Sequence, residues 1–171
     1  MDKLLELTEK MMEFDRGDPR RIQHFVKVHA FARHIGLREG LDENTQFILE
    51  TAALVHDIGV RPAEAKYGRC DGKLQEREGP APAREMLTAL GYAPETVDRV
   101  CYLVSRHHTY DPVDGVDHRI LLEADLLVNL YEEGTPGEGI HAALGHIFRT
   151  KAGMALCRTM FGLEKPEGGG L

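Results

Sequence analysis

Leu54-Val55-His56-Asp57-Ile58-Gly59 is the stretch on which the reading of this chain turns. It closes an apolar run in which Phe47, Ile48, Thr51, Ala52, Val55 and Ile58 recur at helical spacing, the pattern of a helix packed into a core. Gly59, with Pro62 close behind, marks the end of that helix. An Asp in a last helical turn has the wrong sign for the macrodipole, whose C-terminal end is negative. Burial beside an imidazole makes matters worse, because an unpaired buried charge is strongly unfavourable. A bound divalent cation relieves both penalties, so His56-Asp57 reads as part of a metal site.

Upstream, residues 2 to 14 form an amphipathic helix, and Gly17-Asp18-Pro19 ends it and starts the next, with Asp18 as N-cap and Pro19 at the first helical position. That helix, from Arg20 to about Arg38, carries His24, His29 and His34. His24 shares a stripe with Val28, Phe31 and Ile35, and His29 shares another with Phe25 and Ala32. His34 lies with Lys27 and Arg38 and reads as solvated. Periodicity leaves His24 and His29 tied, and either alone is a satisfied core histidine.

Downstream, the helical pattern stops from 61 to 80, which reads as a long irregular loop of the kind that is functional or disordered. It sets Arg61, Lys66, Arg69, Lys73 and Arg77 against Glu64, Asp71, Glu76 and Glu78. Beside a metal, those cations suit an anionic ligand; without one, they are an ordinary solvated loop. A short helix covers 81 to 90. Another opens at Pro94 and ends in Arg106-His107-His108, whose histidines either complement the helix dipole or belong to a site. A helix from about Asp117 to Tyr131 is apolar nearly all round and is therefore central. Asp125 in its middle has no basic neighbour one turn away, so it demands a partner or a metal. A final helix over 140 to 161 closes the chain, and the tail from 163, with Gly168-Gly169-Gly170, reads as disordered.

The totals narrow the classes. Net charge −7 argues against general nucleic-acid binding. Cys70, Cys101 and Cys157 are widely spaced and read as reduced thiols. No window approaches a membrane span, and Met1-Asp2-Lys3 leads into a mixed helix rather than a signal peptide, so the expected setting is cytoplasmic. With no repeats and little strand signal, the chain reads as one all-α domain over 1 to 171, and a homo-oligomer is compatible with it. A set of two His and two Asp is not a structural zinc site; mixed imidazole and carboxylate ligands suit Mn, Fe, Co, Ni or Mg.

On these residues the chain resembles the HD-domain metal-dependent phosphohydrolase superfamily, named for its His-Asp doublet. That pattern has a His, a His-Asp some thirty residues on, and a late Asp in an Ala-Asp-Leu-like helix. His24 matches the first position, thirty-two residues before His56 and just after Arg20-Arg21-Ile22-Gln23, which breaks the tie with His29. His56 and Asp57 match the doublet, and Glu123-Ala124-Asp125-Leu126-Leu127 brings Asp125 to the last position. The match covers about 20 to 130, and it implies a bundle of five or more helices, in agreement with the six to seven read along this chain.

The resemblance implies a metal held by His24, His56, Asp57 and Asp125, and hydrolysis of a phosphoester in a nucleotide or small phosphorylated metabolite by a metal-activated water. Many members read His-Asp-Ile-Gly-Lys; Val60-Arg61 follows the Gly here, so Arg61 is expected to take the cationic role. Lys27 and Lys66 would join it on the substrate, with Gln75 and Glu76. Asp57, Glu64, His107 or His108 would handle the proton. Binuclear members carry a further His after the doublet, and the corresponding Leu74-Gln75-Glu76-Arg77-Glu78-Gly79-Pro80 has none. One metal is therefore favoured over two, a second one needing Glu76 or Glu78. The rivals are a non-catalytic nucleotide-sensing module on the same scaffold and a dinuclear-iron oxygenase or lyase.

Overall fold

Aspartate side chains cap four of the ten helix starts among the described residues. The side chains of Asp2, Asp18, Asp42 and Asp71 accept from the backbone N–H groups of Leu4, Arg21, Asn44 with Thr45, and Leu74. The structure, a computed structural model, describes residues 2–163. Ten helices occur among them and no strand: α1 (Lys3–Phe14), α2 (Pro19–Glu39), α3 (Glu43–Val55), α4 (Val60–Tyr67), α5 (Gly72–Glu78), α6 (Pro80–Ala89), α7 (Pro94–Val104), α8 (Gly115–Glu132), α9 (Gly137–His146) and α10 (Lys151–Phe161). The all-α reading holds, with more helices than the six to seven expected.

The excess has two sources. The expected loop over 61 to 80 is instead α4 and α5, separated by Gly68 in the left-handed region (φ 66°) and restarted by Asp71. Each is about two turns long and buries few side chains, Val60 and Ala63 in the first and Leu74 and Glu76 in the second, so neither leaves a periodic signal. The single closing helix expected over 140 to 161 is α9 and α10, broken where Glu123 accepts from the N–H groups of Arg149 and Thr150. Thr150 then caps α10 through Gly153 N–H. The disordered tail expected from 163 lies, apart from Leu163, outside the described residues.

α8 and α3 are the core. Ile120, Leu121, Leu122, Ala124, Leu127 and Val128 of α8 are buried, as are Leu49, Ala52, Ala53, Leu54 and Val55 of α3. Burying each such Leu, Ile or Val side chain is worth about 1.5–3 kcal/mol. α2 packs on both α3 and α8, and α7 packs on α3. One end of α2, the end of α3, the turn after α7 and the middle of α8 thereby meet. Among the described residues no helix is long and apolar enough to cross a membrane.

Candidate metal centre

Helix α3 ends at Val55, and His56 caps it, so Asp57 sits just past the helix in a turn before α4. His56 is wholly buried, and Asp57 is the partly exposed member of the pair. α2 brings His24 and α8 brings Asp125 to the same point. His24 Nε2 stands 3.1 Å from Asp125 Oδ1, 3.5 Å from Asp57 Oδ2 and 3.3 Å from His56 Nε2. His56 Nε2 is 3.5 Å from Asp125 Oδ1 and 3.6 Å from Asp57 Oδ2. The other oxygen of Asp57 turns to His107 Nε2 at 3.3 Å. Beside it, Gln75 Oε1 lies 3.2 Å from His107 Nε2 and 2.8 Å from His108 Nε2.

The proton bookkeeping of these rings decides what the cluster wants. His24 Nδ1–H donates to Glu132 Oε2 at 2.8 Å, His56 Nδ1–H to the Ala53 carbonyl at 2.8 Å, and His107 Nδ1–H to the Val104 carbonyl at 2.7 Å. A neutral imidazole with its proton on Nδ1 has a lone pair on Nε2. Three such lone pairs converge here on two carboxylates and an amide oxygen, with Asn129 Nδ2 donating to Asp125 Oδ1 at 3.0 Å. Acceptors packed on acceptors need a cation among them. His24, His56 and Asp57 form one group that could hold a metal, and Asp57, His107 and His108 form a second, so Asp57 stands between them.

The electrostatics agree. Burial pulls His56 down, but the Asp57 and Asp125 carboxylates outweigh it and lift the ring to about 9. Burial likewise opposes the raised His24, where the hydrogen bond to Asp125 wins. Asp57 and Asp125 are held far below the usual carboxylate range: burial pushes both up, and is overcome by His56 and His107 at Asp57 and by His24 and His56 at Asp125. Burial, with His107 alongside, pushes His108 down to about 4.

A cleft of about 330 Å3 opens on the cluster, lined by Asp18, Arg20, Arg21, His24, Asp57, Asn129 and Glu132. A larger groove of about 740 Å3 between the end of α2 and α10 carries no comparable set of imidazoles and carboxylates, so size does not mark the site. Gly59 explains its place in the quoted stretch. A Cβ there would meet the Gln75 carbonyl at 2.5 Å and Gly79 N at 2.7 Å, so the turn after the doublet packs on the α5–α6 junction with bare backbone.

Several expected residues lie elsewhere. Arg61 donates from Nε to the buried Asp15 at 2.9 Å and lies over the Phe14 ring; that carboxylate at the end of α1 draws it away from the cluster. Lys66 pairs with Glu78 at 3.5 Å and lies over Tyr67. Glu64 accepts from Arg21 at 2.6 Å, leaving it to balance that cation. Glu76 accepts from Lys73, from Thr109 Oγ1 and from His108 N–H, so it anchors the histidine turn. Glu78 is likewise taken up by Tyr67, Lys66 and Arg77. Lys27 lies near His24 but donates to Glu132 at 2.6 Å. His29 pairs with Glu50 at 3.1 Å, away from the centre.

Sequence reasoning missed Asn129 and Glu132, although Asp125, Asn129 and Glu132 recur at helical spacing on one face of α8. It quoted Arg20-Arg21 without assigning them to the cleft.

Comparison with known proteins bears on this arrangement. The family model for the HD domain matches residues 21–140. The fold is similar to the crystal structure of a predicted HD superfamily hydrolase from an uncultured Thermotogales bacterium, at 25% identity and a TM-score of 0.64, covering 95% of this chain and 85% of that one. It is also similar to Bacillus subtilis YpgQ, at 19% identity and a TM-score of 0.54, covering 94% of this chain and 77% of that one, a likeness of fold. No curated protein matches. With more than two thirds of its length, doublet and Asp125 included, inside the matched span, the chain belongs to the HD domain family.

Proposed function

We propose that the protein is a divalent-metal-dependent phosphohydrolase acting on a phosphoester of a nucleotide or small phosphorylated metabolite. The observation that carries this reading is the convergence of Nε2 lone pairs from His24, His56 and His107 on Asp57 and Asp125. Membership of the HD family and the likeness to an HD superfamily hydrolase support it. When bound, a divalent cation there lowers the pKa of a water and polarises a phosphoryl oxygen.

The chain's own residues do the rest. His24, His56, Asp57 and Asp125 would hold the cation, and Asn129 steadies Asp125 through its amide. Asp57 stays ionised, which suits a ligand better than an acid. With one cation bound, His107 Nε2 offers a lone pair 3.3 Å from Asp57 and can take the proton that an attacking water gives up. Arg20 brings positive charge to the cleft wall, where a guanidinium group suits phosphate oxygens, while the charge of Arg21 is met by Glu64 and Asp18. A cleft of about 330 Å3 is at the small end of ligand pockets, which run to roughly 300–1,000 Å3. That favours a small substrate.

A second reading concerns metal number. The Asp57–His107–His108 group, with Gln75 beside it, would hold a second cation, Asp57 being common to both groups and Glu76 and Glu78 being engaged by other partners. Metal content of the purified protein separates the two. Phosphate release from a nucleotide panel, before and after addition of Mn, Co, Ni or Mg, tests the activity. Asp57→Ala is expected to abolish both metal binding and turnover, and retained turnover refutes the site. Nucleotide binding with neither metal nor turnover would make the protein a sensor. Two irons with oxygen consumption would move it to oxygenase chemistry.

A further inference from the structure

His24 is the one imidazole of the centre whose Nδ1 is fixed by a side chain. His56 and His107 give their Nδ1–H groups to carbonyls three residues back, Ala53 and Val104, which no substitution there removes. His24 gives its proton to Glu132 Oε2 at 2.8 Å, from α2 across to the last residue of α8. The other Glu132 oxygen accepts from Lys27 Nζ at 2.6 Å, one turn after His24. The carboxylate is largely buried, 13% exposed, and none of the steps above uses it.

Which ring nitrogen of a neutral histidine carries the proton is set by the partner the other one finds. For His24 the competing acceptor is Asp125 Oδ1, 3.1 Å from Nε2. Without Glu132, the ring proton moves to Nε2, which donates to Asp125 Oδ1, and the nitrogen that faces the cluster loses its lone pair. We propose that Glu132 is the positioning residue of the centre: it holds His24 as the Nδ1–H tautomer with Nε2 open towards Asp57 and Asp125, and tethers Lys27 to the same anchor. This rests on the reading of the cluster as a cation site and adds the residue that prepares it. Carboxylate partners of ligating histidines act in this way, and their loss typically weakens metal binding 10–100-fold.

The test uses the full chain, stripped of metal, in wild-type form and as Glu132→Ala, Glu132→Gln and Lys27→Met. The His24 tautomer is read from long-range proton–nitrogen correlations of the imidazole in alkaline buffer that leaves the ring neutral. Co2+ affinity is read by titration. Wild type should show Nδ1–H. Glu132→Ala should shift His24 to Nε2–H and weaken Co2+ binding by on the order of 10–100-fold. Glu132→Gln, near-isosteric and still able to accept through its oxygen, should give mixed tautomers and a smaller loss, and serves if the alanine variant folds poorly. Lys27→Met should keep the wild-type tautomer and affinity; if it instead reproduces the Glu132 variants, the carboxylate serves only the lysine and the proposal falls. It falls equally if both Glu132 variants keep Nδ1–H and wild-type affinity. A tautomer shift in a protein whose wild type binds no Co2+ would support the hold on His24 and overturn the cation-site reading.

Discussion

Stripping divalent cations and raising the pH from 6.5 to 9 should destabilise this protein, and restoring the metal should rescue it most at the alkaline end. In the metal-free chain, the cation that the cluster needs is the proton on His56, held at about 9 against an ordinary 6.5. Because that proton is bound more tightly folded than unfolded, the stability it supplies is complete below pH 6.5 and is lost as the pH rises through about 9. His24 is raised too and acts with the same sign. His56 is wholly buried, so solvent does not discount the effect. At about 1.36 kcal/mol per pH unit, the His56 shift alone is worth on the order of 3 kcal/mol. For a domain of this size that is a fall in Tm of roughly 6–12 °C. His29, His108 and His118 are shifted down and act on the acid side of 6.5, outside this window. The assay is thermal unfolding of chelator-treated protein across the range, with and without saturating Mn2+. Metal binding must displace the His56 proton, so the Mn2+-induced rise in Tm should be larger at pH 9 than at 6.5. A metal-free Tm that holds or climbs from 6.5 to 9, or a metal shift equal at both ends, refutes the reasoning.

Three substitutions probe other parts of the structure. Arg61→Ala should leave kcat unchanged and lower stability by roughly 1–3 kcal/mol in chemical denaturation, between the values for exposed and buried pairs, because it strands Asp15; a lost kcat would return Arg61 to the substrate. Arg20→Ala should raise KM for a phosphorylated substrate about tenfold, the worth of one charge-assisted contact, with metal content unchanged. Gly153→Ala puts a Cβ onto Glu123 Oε2, a buried carboxylate held by Arg149 N–H, Thr150 N–H and Thr150 Oγ1. Losing about 3 kcal/mol there outweighs the ~1 kcal/mol that Ala gains over Gly in a helix, so a more stable variant would contradict the packing.

The doublet and Asp125 were legible because a carboxylate inside an apolar helical run contradicts its surroundings, and the contradiction needs only the sequence to be seen. His24 was not legible from its stripe, since His29 sits on one equally apolar. The difference lies across the interface: His29 meets Glu50 of α3, while His24 meets Glu132 and Asp125 of α8. Helical periodicity reports which way a side chain faces within its own element and nothing of what waits opposite. The same gap explains Arg61, placed by sequence beside a phosphate and by the fold beside Asp15, a residue forty-six positions earlier. In 61 to 80 the stop and start signals, Gly68 and Asp71, were readable, but helices this short bury too few residues to show a period. Thr150 was a readable cap as well; the apolar pattern running through it hid the break that Glu123 creates.

The bare contact between Gly59 and the Gln75 carbonyl and Gly79 amide behaves as a spacer of fixed thickness. On one side of it stand His56 and Asp57; on the other, Gln75 with the two histidines it touches. Since no side chain fills the gap, exchanging ligands on either side would retune what each half binds without altering how far apart the halves are. A methyl group at position 59 would do the reverse, keeping every donor and prising the two halves open. Anyone re-engineering this centre thus has two separate controls, one for chemistry and one for gauge.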